Sequence, residues 1–287
     1  MPPAIASLLD VSCPSSCYPA ARSSPRTIIA HIGPTNSGKT RAALQRLAAS
    51  HSGVYCGPLR MLAWEAYETL ASVHALKCNL VTGQERQQQH GARHTACTVE
   101  MADVDVPVAC CVVDEGQMLA SAQRGWAWTR VLLGMRCKQL HVCGEARMLP
   151  ALQLMAAACG DTIEVVRYER LSALRLRKDA PLHVHGISRL VAGDAVVCFS
   201  RKQVYAIKQA IEQNSAHKCS VVYGQLPPES RREQAKLFNE RQGGFDVLVA
   251  RCFDAGLGFC SFFCHVLWRQ RRDRHGIESQ HRSHRVC

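Results

Sequence analysis

RTIIAHIGPTNSGKTRAALQRLAAS, residues 26–50, is the stretch that decides the fold. Its first seven residues, RTIIAHI (26–32), are short, apolar and β-branched, which predicts a buried strand. TRAALQRLAAS (40–50) places Ala43, Leu44 and Leu47 at helical spacing. Between them, Gly33-Pro34-Thr35-Asn36-Ser37-Gly38-Lys39-Thr40 fits the pattern G-x-x-x-x-G-K-[ST]. The glycines let such a loop wrap tightly, so that its backbone N–H groups point at a phosphate at the start of the helix. Lys39 would reach the β- and γ-phosphates of ATP, and Thr40 would offer its hydroxyl to Mg²⁺. The alternative is a purely structural glycine turn, but a strand before and a helix after are the context that phosphate binding demands.

Further strands and helices alternate downstream. VYCGPLRMLA (54–63) reads as a strand running through a loop into a helix, ACCVVDEGQML (109–119) as an apolar strand ending in acids, and KQLHVCGEA (138–146) as a strand with a small polar turn. This alternation predicts a mostly parallel sheet with helices on both faces, with ligands at the carboxyl ends of the strands. A second α/β unit starts near residue 175. Its pieces are AVVCFSRK (195–202), the helical QVYAIKQAIEQ (203–213), SVVYG (220–224), the proline-started helix PPESRREQAKLFNE (227–240) and the strand FDVLVA (245–250).

The acids complete the chemistry. A phosphate loop needs a carboxylate for its metal and its water. Asp114 stands where it would hold Mg²⁺, and Glu115 where it would orient and deprotonate the attacking water. Gln117 either senses the γ-phosphate or is a plain surface polar residue. The expected site is therefore Gly33, Pro34, Thr35, Asn36, Ser37, Gly38, Lys39, Thr40, Asp114, Glu115 and Gln117, with Lys39, Asp114 and Glu115 serving catalysis and Thr40 and Asp114 the metal.

The whole-chain numbers are compatible. The chain has 287 residues, 47% hydrophobic, which is room for two ordinary domains. The formal charge of +12 suggests a polyanionic partner such as RNA or DNA, against the plainer reading of a basic soluble protein. No apolar run is long enough to span a bilayer. The sixteen cysteines are scattered through apolar runs, which favours reduced core thiols over a disulfide scaffold. Residues 1–26 hold Ser, Pro, Ala and Arg with one acid, Asp10. They read as a weak organelle transit segment or a disordered leader, outside the fold.

GPTNSGKT (33–40), VYCGPLRMLAWE (54–65), LVTGQER (80–86), CTVEM (97–101), VVDEGQM (112–118), RGWAWTRVLLG (124–134) and HVCGE (141–145), taken in order, resemble the suppressor-of-Var mitochondrial RNA helicase family. VVCFSRKQVYAIKQAIE (196–212) and VVYGQLPPESRREQAKLFN (221–239) carry the resemblance into the second unit. It implies a superfamily-two helicase with two RecA-like domains that binds and hydrolyses ATP with Mg²⁺ to unwind RNA (an RNA/DNA hybrid or DNA duplex being alternatives). It further implies a mitochondrial location, otherwise nuclear or cytoplasmic, and in some organisms an exoribonuclease partner in RNA decay. Gly144 and Glu145 alone would mark only a tight turn; the resemblance gives that turn a role in coupling the ATP state to the second domain.

The sequence departs from the family at Gly116, where a larger aliphatic is usual, in the lack of the helical domain before the phosphate loop, and after residue 250. There Asp254, Gly256 and Gly258 imitate only loosely the expected Ser/Thr-Asp-Ala-Ile-Gly-Met-Gly-Leu-Asn, and the arginine motif that follows it is absent. Shifting the codons of RRDRHGIESQHRSHRV (271–286) by one base restores that motif, which points to a retained insert between a splice donor at Arg251 and an acceptor at Gln270. The expected organisation is thus a leader (1–26), an ATP-binding RecA-like domain (27–172), a partial second RecA-like domain (173–250) and an aberrant tail (251–287). Cys260, Cys264, His265, His275, His281 and His284 would be a zinc set only if that tail were in frame. An arginine finger contributes about 10³–10⁵ in rate in this fold, so low turnover is expected. A non-catalytic ATP- or RNA-binding fragment is the rival reading; the second lobe disfavours a P-loop kinase or transporter ATPase.

Overall fold

The computed structural model describes residues 14–171, 187, 190–240 and 245–251. The tail from 252 onward, with its proposed zinc residues, residues 1–13 of the leader and the junction around 172 lie outside them. The chain divides into two compact units, Met1–Leu171 and Ser172–Cys287.

The first unit is built on an eight-stranded sheet. Its strands are β1 (Thr27–Ile32), β2 (Gly53–Gly57), β3 (Cys78–Val81), β4 (Arg86–Gln87), β5 (His94–Thr98), β6 (Val108–Val113), β7 (Cys137–Gly144) and β8 (Thr162–Arg167). They lie in the order β4-β3-β5-β2-β6-β7-β1-β8, and every pairing is parallel except β3 with β4. The helices are α1 (Lys39–Ala49), α2 (Arg60–Glu68), α3 (Gly125–Gly134) and α4 (Leu149–Cys159). Strand β2 is buried at every position, as a strand covered on both faces must be. On one face Ala43 and Leu47 of α1 pack with Tyr55, Cys110, Val112 and Cys143. The cysteines sit where aliphatic residues would, and all those described are free thiols. Burial pushes Cys143 well above the usual thiol range.

This sheet order positions the site. Strands β6, β7 and β1 are neighbours, so the loops after all three meet at one end of the sheet. These loops are Asp114–Gln117, Gly144–Glu145 and Gly33–Gly38.

The expectation that residues up to 26 lie outside the fold is corrected from Pro14 onward. Two short 3₁₀ turns, Pro14–Cys17 and Pro19–Arg22, pack on the domain. Tyr18 fills the space a side chain at Gly134 would need, with Cδ1 2.6 Å from a Cβ built there. Arg22 donates to the carbonyls of Leu133 (2.8 Å) and Cys159 (3.2 Å), and Arg26 to those of Leu132 and Met135 (both 2.9 Å). These carbonyls belong to the ends of α3 and α4, which lack intrahelical partners and favour cations. Arg26 also pairs with Asp161, both side chains almost fully buried. The segment docks through arginines and backbone carbonyls, so it has no apolar period to read.

The second unit is smaller. Strands β9 (Ala195–Cys198), β10 (Lys218–Val222) and β11 (Phe245–Arg251) form a parallel sheet in the order β10-β11-β9. Helix α5 (Arg201–Asn214) starts with a capping box, Ser200 accepting from the Gln203 amide while the Gln203 side chain accepts from Ser200. Helix α6 (Pro228–Glu240) begins on its proline. Val204 and Ile211 of α5 close one core with Val247 and Val249, and Phe238 of α6 a second with Leu248 and Ala250. No described helix is long and apolar enough to cross a membrane.

Candidate nucleotide site

The phosphate loop follows β1 as the sequence predicts. Gly38 adopts φ +84°, and Asn36, a residue that tolerates the left-handed region, φ +58°. Gly33 is required by close packing: a Cβ there would lie 2.8 Å from the Tyr168 carbonyl oxygen and 3.0 Å from Ser37 Oγ. Lys39 is buried and donates to the Pro34 carbonyl at 3.1 Å, across the mouth of its own loop. Ser37 Oγ is buried with no hydrogen-bond partner. A loop with an orphaned hydroxyl and an inward-folded lysine has the donors a polyphosphate would satisfy. Pro34 is exposed, and Thr35 accepts from Arg170 at 3.3 Å. The Leu171 amide donates to the Asn36 carbonyl at 2.9 Å, so the segment after β8 is fastened to the loop.

Asp114 lies at the end of β6, fully buried. Its carboxylate accepts from Thr40 Oγ1 (3.2 and 3.3 Å to its two oxygens), Tyr55 OH (3.0 Å) and the Glu115 amide (2.9 Å). Its own carbonyl accepts from the Trp128 indole at 3.0 Å. Burial, then the Asp114 charge, holds the Tyr55 phenol well above its usual range. Thr40 and Asp114 thus converge, the pairing a Mg²⁺ ion needs when phosphates and waters supply its other ligands. Among the described residues no cluster of three or more His, Cys, Asp or Glu side chains could hold a metal by itself.

Glu115 is buried and left-handed, at φ +52°. Such strain costs about 1–3 kcal/mol and gathers at functional sites. Its carboxylate accepts from the Gln117 amide group, and Gln117 Oε1 accepts from the Glu145 backbone at 3.2 Å. The surface alternative for Gln117 is therefore corrected: it is buried and ties the Asp114–Gln117 loop to the turn after β7. Gly144 makes this approach possible, since a Cβ there would be 2.7 Å from Gln117 Oε1. Gly116 has a local cause too: Met148 Sδ and Val142 Cγ1 would lie 2.5 and 2.8 Å from its Cβ.

Sequence reasoning missed Tyr55, Trp128 and Met148. The first two had a usable signal, because a buried Tyr or Trp needs a partner for its polar tip. It also missed a buried chain behind the loop, in which His31 bonds Tyr168 OH (2.8 Å) and His141 (2.9 Å). Burial, then His31 and Arg46, lowers His141 to about 4.

A phosphate loop after the first strand of a parallel sheet, facing an Asp-Glu pair across an intervening strand, defines a P-loop NTPase domain. Residues 14–168 match the DEXQ-box helicase domain of Suv3, and the chain belongs to that family. It is 49% identical over 241 residues to the mitochondrial DExH-box ATP-dependent RNA helicase DExH16 of Arabidopsis thaliana, covering 84% of this chain and 42% of the relative. It is 48% identical over 243 residues to the mitochondrial ATP-dependent RNA helicase SUV3 of Oryza sativa subsp. japonica, covering 85% and 41%. The chain thus spans about two fifths of the length of these relatives. The fold is shared with an S. cerevisiae Dbp5 variant bound to RNA and ADP BeF3, at a TM-score of 0.56 and 14% identity, over 85% of this chain and 76% of that one.

Proposed function

We propose that this chain is the nucleotide-driven part of an ATP-dependent RNA helicase of the mitochondrial RNA-turnover type. The observation that carries the reading is the convergence of Thr40 and Asp114 beside the phosphate loop. Gly33 to Thr40 bind the phosphates, with Lys39 releasing Pro34 to pair with the β- and γ-oxygens. Thr40 and Asp114 hold Mg²⁺, which neutralises charge on the phosphates when bound. Glu115 takes the proton of the attacking water, and Gln117 passes the state of that site to Glu145. The domain limits proposed for the motor are 14–171 for the nucleotide unit and 172–251 for the partner unit.

RNA is the substrate proposed, supported by the family and the +12 charge, with an exoribonuclease as a partner and the mitochondrion as the location named for the relatives. The test is calorimetric titration of Mg²⁺-ADP into the full chain and into Lys39→Ala. The wild type is expected to bind, and the variant to bind much more weakly, since the phosphate charge loses its main side-chain partner. Equal affinities would overturn the reading. Because the arginine motif expected after residue 250 is not found, RNA-stimulated phosphate release is expected to stay near background and Glu115→Gln to change it little; robust RNA-stimulated turnover would overturn that expectation.

A further inference from the structure

Tyr55 lies on β2, outside the phosphate loop and outside the Asp114–Gln117 turn, yet its hydroxyl ends on the Asp114 carboxylate. We propose that Tyr55 is a positioning residue for the metal site: it pins Oδ2 of Asp114 so that the carboxylate keeps its aim at the cation beside Thr40. The inference rests on reading residues 33–40 and Asp114 as a Mg²⁺-nucleotide site.

The backbone of Asp114 is fixed from both directions. Its amide donates to the Cys56 carbonyl at 3.0 Å, and its carbonyl accepts from Trp128 at 3.0 Å. What remains free is rotation of the carboxylate about its two side-chain torsions. Three donors restrain it: Thr40, the Glu115 amide and Tyr55. Thr40 has a single proton to give and must also turn a lone pair to a cation, so its hydroxyl is shared between the metal and the carboxylate. Tyr55 is the side-chain donor in this set that has no part in holding the cation and is free to fix Oδ2 alone. Removing a partner that orients a metal ligand in this way typically costs about ten- to a hundred-fold in metal affinity.

The surroundings are shaped for the ring. Tyr55 is 2% exposed, and a Cβ at Gly57 would stand 2.9 Å from its Cε1 and 3.3 Å from its hydroxyl. Phenylalanine would fill the same volume without burying a hydroxyl, which is costly unless partnered. The partner found is the metal-binding acid.

The experiment compares wild type and Tyr55→Phe as full chains. ADP affinity is measured by calorimetry with and without Mg²⁺, and Mn²⁺ binding to the ADP complex by electron paramagnetic resonance. Metal-free ADP affinity is expected to stay unchanged. The factor by which Mg²⁺ tightens ADP, and the Mn²⁺ affinity, should both fall by about ten- to a hundred-fold. An unchanged metal factor in Tyr55→Phe overturns the proposal, and so does a loss of metal-free affinity in step with it, which marks a general packing defect. If wild type shows no metal-linked ADP binding, the site itself is misread and the proposal goes with it. Should Tyr55→Phe fail to fold, Gly57→Ala, whose methyl presses on the ring, is judged by the same criteria.

Discussion

The two ends of the eight-stranded sheet treat a buried acid in opposite ways. At the amino ends of β1 and β8, Asp161 is matched by two arginines, Arg26 and Arg22. At the carboxyl end of β6, Asp114 is equally buried but is held by two hydroxyls and an amide, and no described Lys or Arg forms an ion pair with it. One end is electrically closed and serves stability. The other holds its acid by neutral donors alone, an arrangement that suits an arriving cation.

The strongest test of this contrast exchanges the two acids' fates. Arg26→Ala should cost about 3–5 kcal/mol, because it leaves the buried Asp161 to the longer Arg22 pair alone and uncaps the end of α3. Asp114→Asn should change stability by less than about 1 kcal/mol, or raise it, while abolishing the Mg²⁺ dependence of ADP binding. Chemical denaturation of both variants reads the difference; equal losses would break the comparison.

A second test uses the closed interior next to the open site. His141 is neutral in the folded chain, with its value lowered from 6.5 to about 4, so the unfolded chain binds more protons between those limits. Its contribution is fully present above pH 6.5 and is lost as the pH falls toward 4. The loss should approach about 3 kcal/mol at 1.4 kcal/mol per pH unit. His141→Gln should flatten that part of the stability profile; an unchanged slope would show that other groups set it.

The smallest effect sharpens the site end alone. Gly116→Ile should cost about 1–3 kcal/mol by overpacking against Met148 and Val142. Met148→Ala in the same chain should return part of that, a coupling of about 1 kcal/mol or more that a double-mutant cycle measures.

These contrasts also mark what sequence reading reached. The phosphate loop, β1 and α1 were legible because Gly33, Gly38 and Lys39 are fixed by the chemistry of phosphate and flanked by clean periodicities. Strand β6 was legible because its apolar run ends abruptly in Asp114 and Glu115. Strands β3 and β5 escaped, being short runs such as CNLV and HTACT without alternation, and α4 is apolar on nearly every side, so it shows no period. The docking of residues 14–26 escaped because Arg22 and Arg26 reach carbonyls more than a hundred residues away, a pairing that no local pattern encodes.

The single bond from the Leu171 amide to the Asn36 carbonyl makes Leu171 an isotopic clock for the nucleotide loop. Its proton exchanges with solvent only when the loop lets go, so deuterium uptake there follows the loop's opening. Leu171 is also the last residue of the first unit. A ligand that stiffens the loop therefore slows exchange at the point where the chain departs for the second unit, and the occupancy of the site can be timed there without a label on the nucleotide.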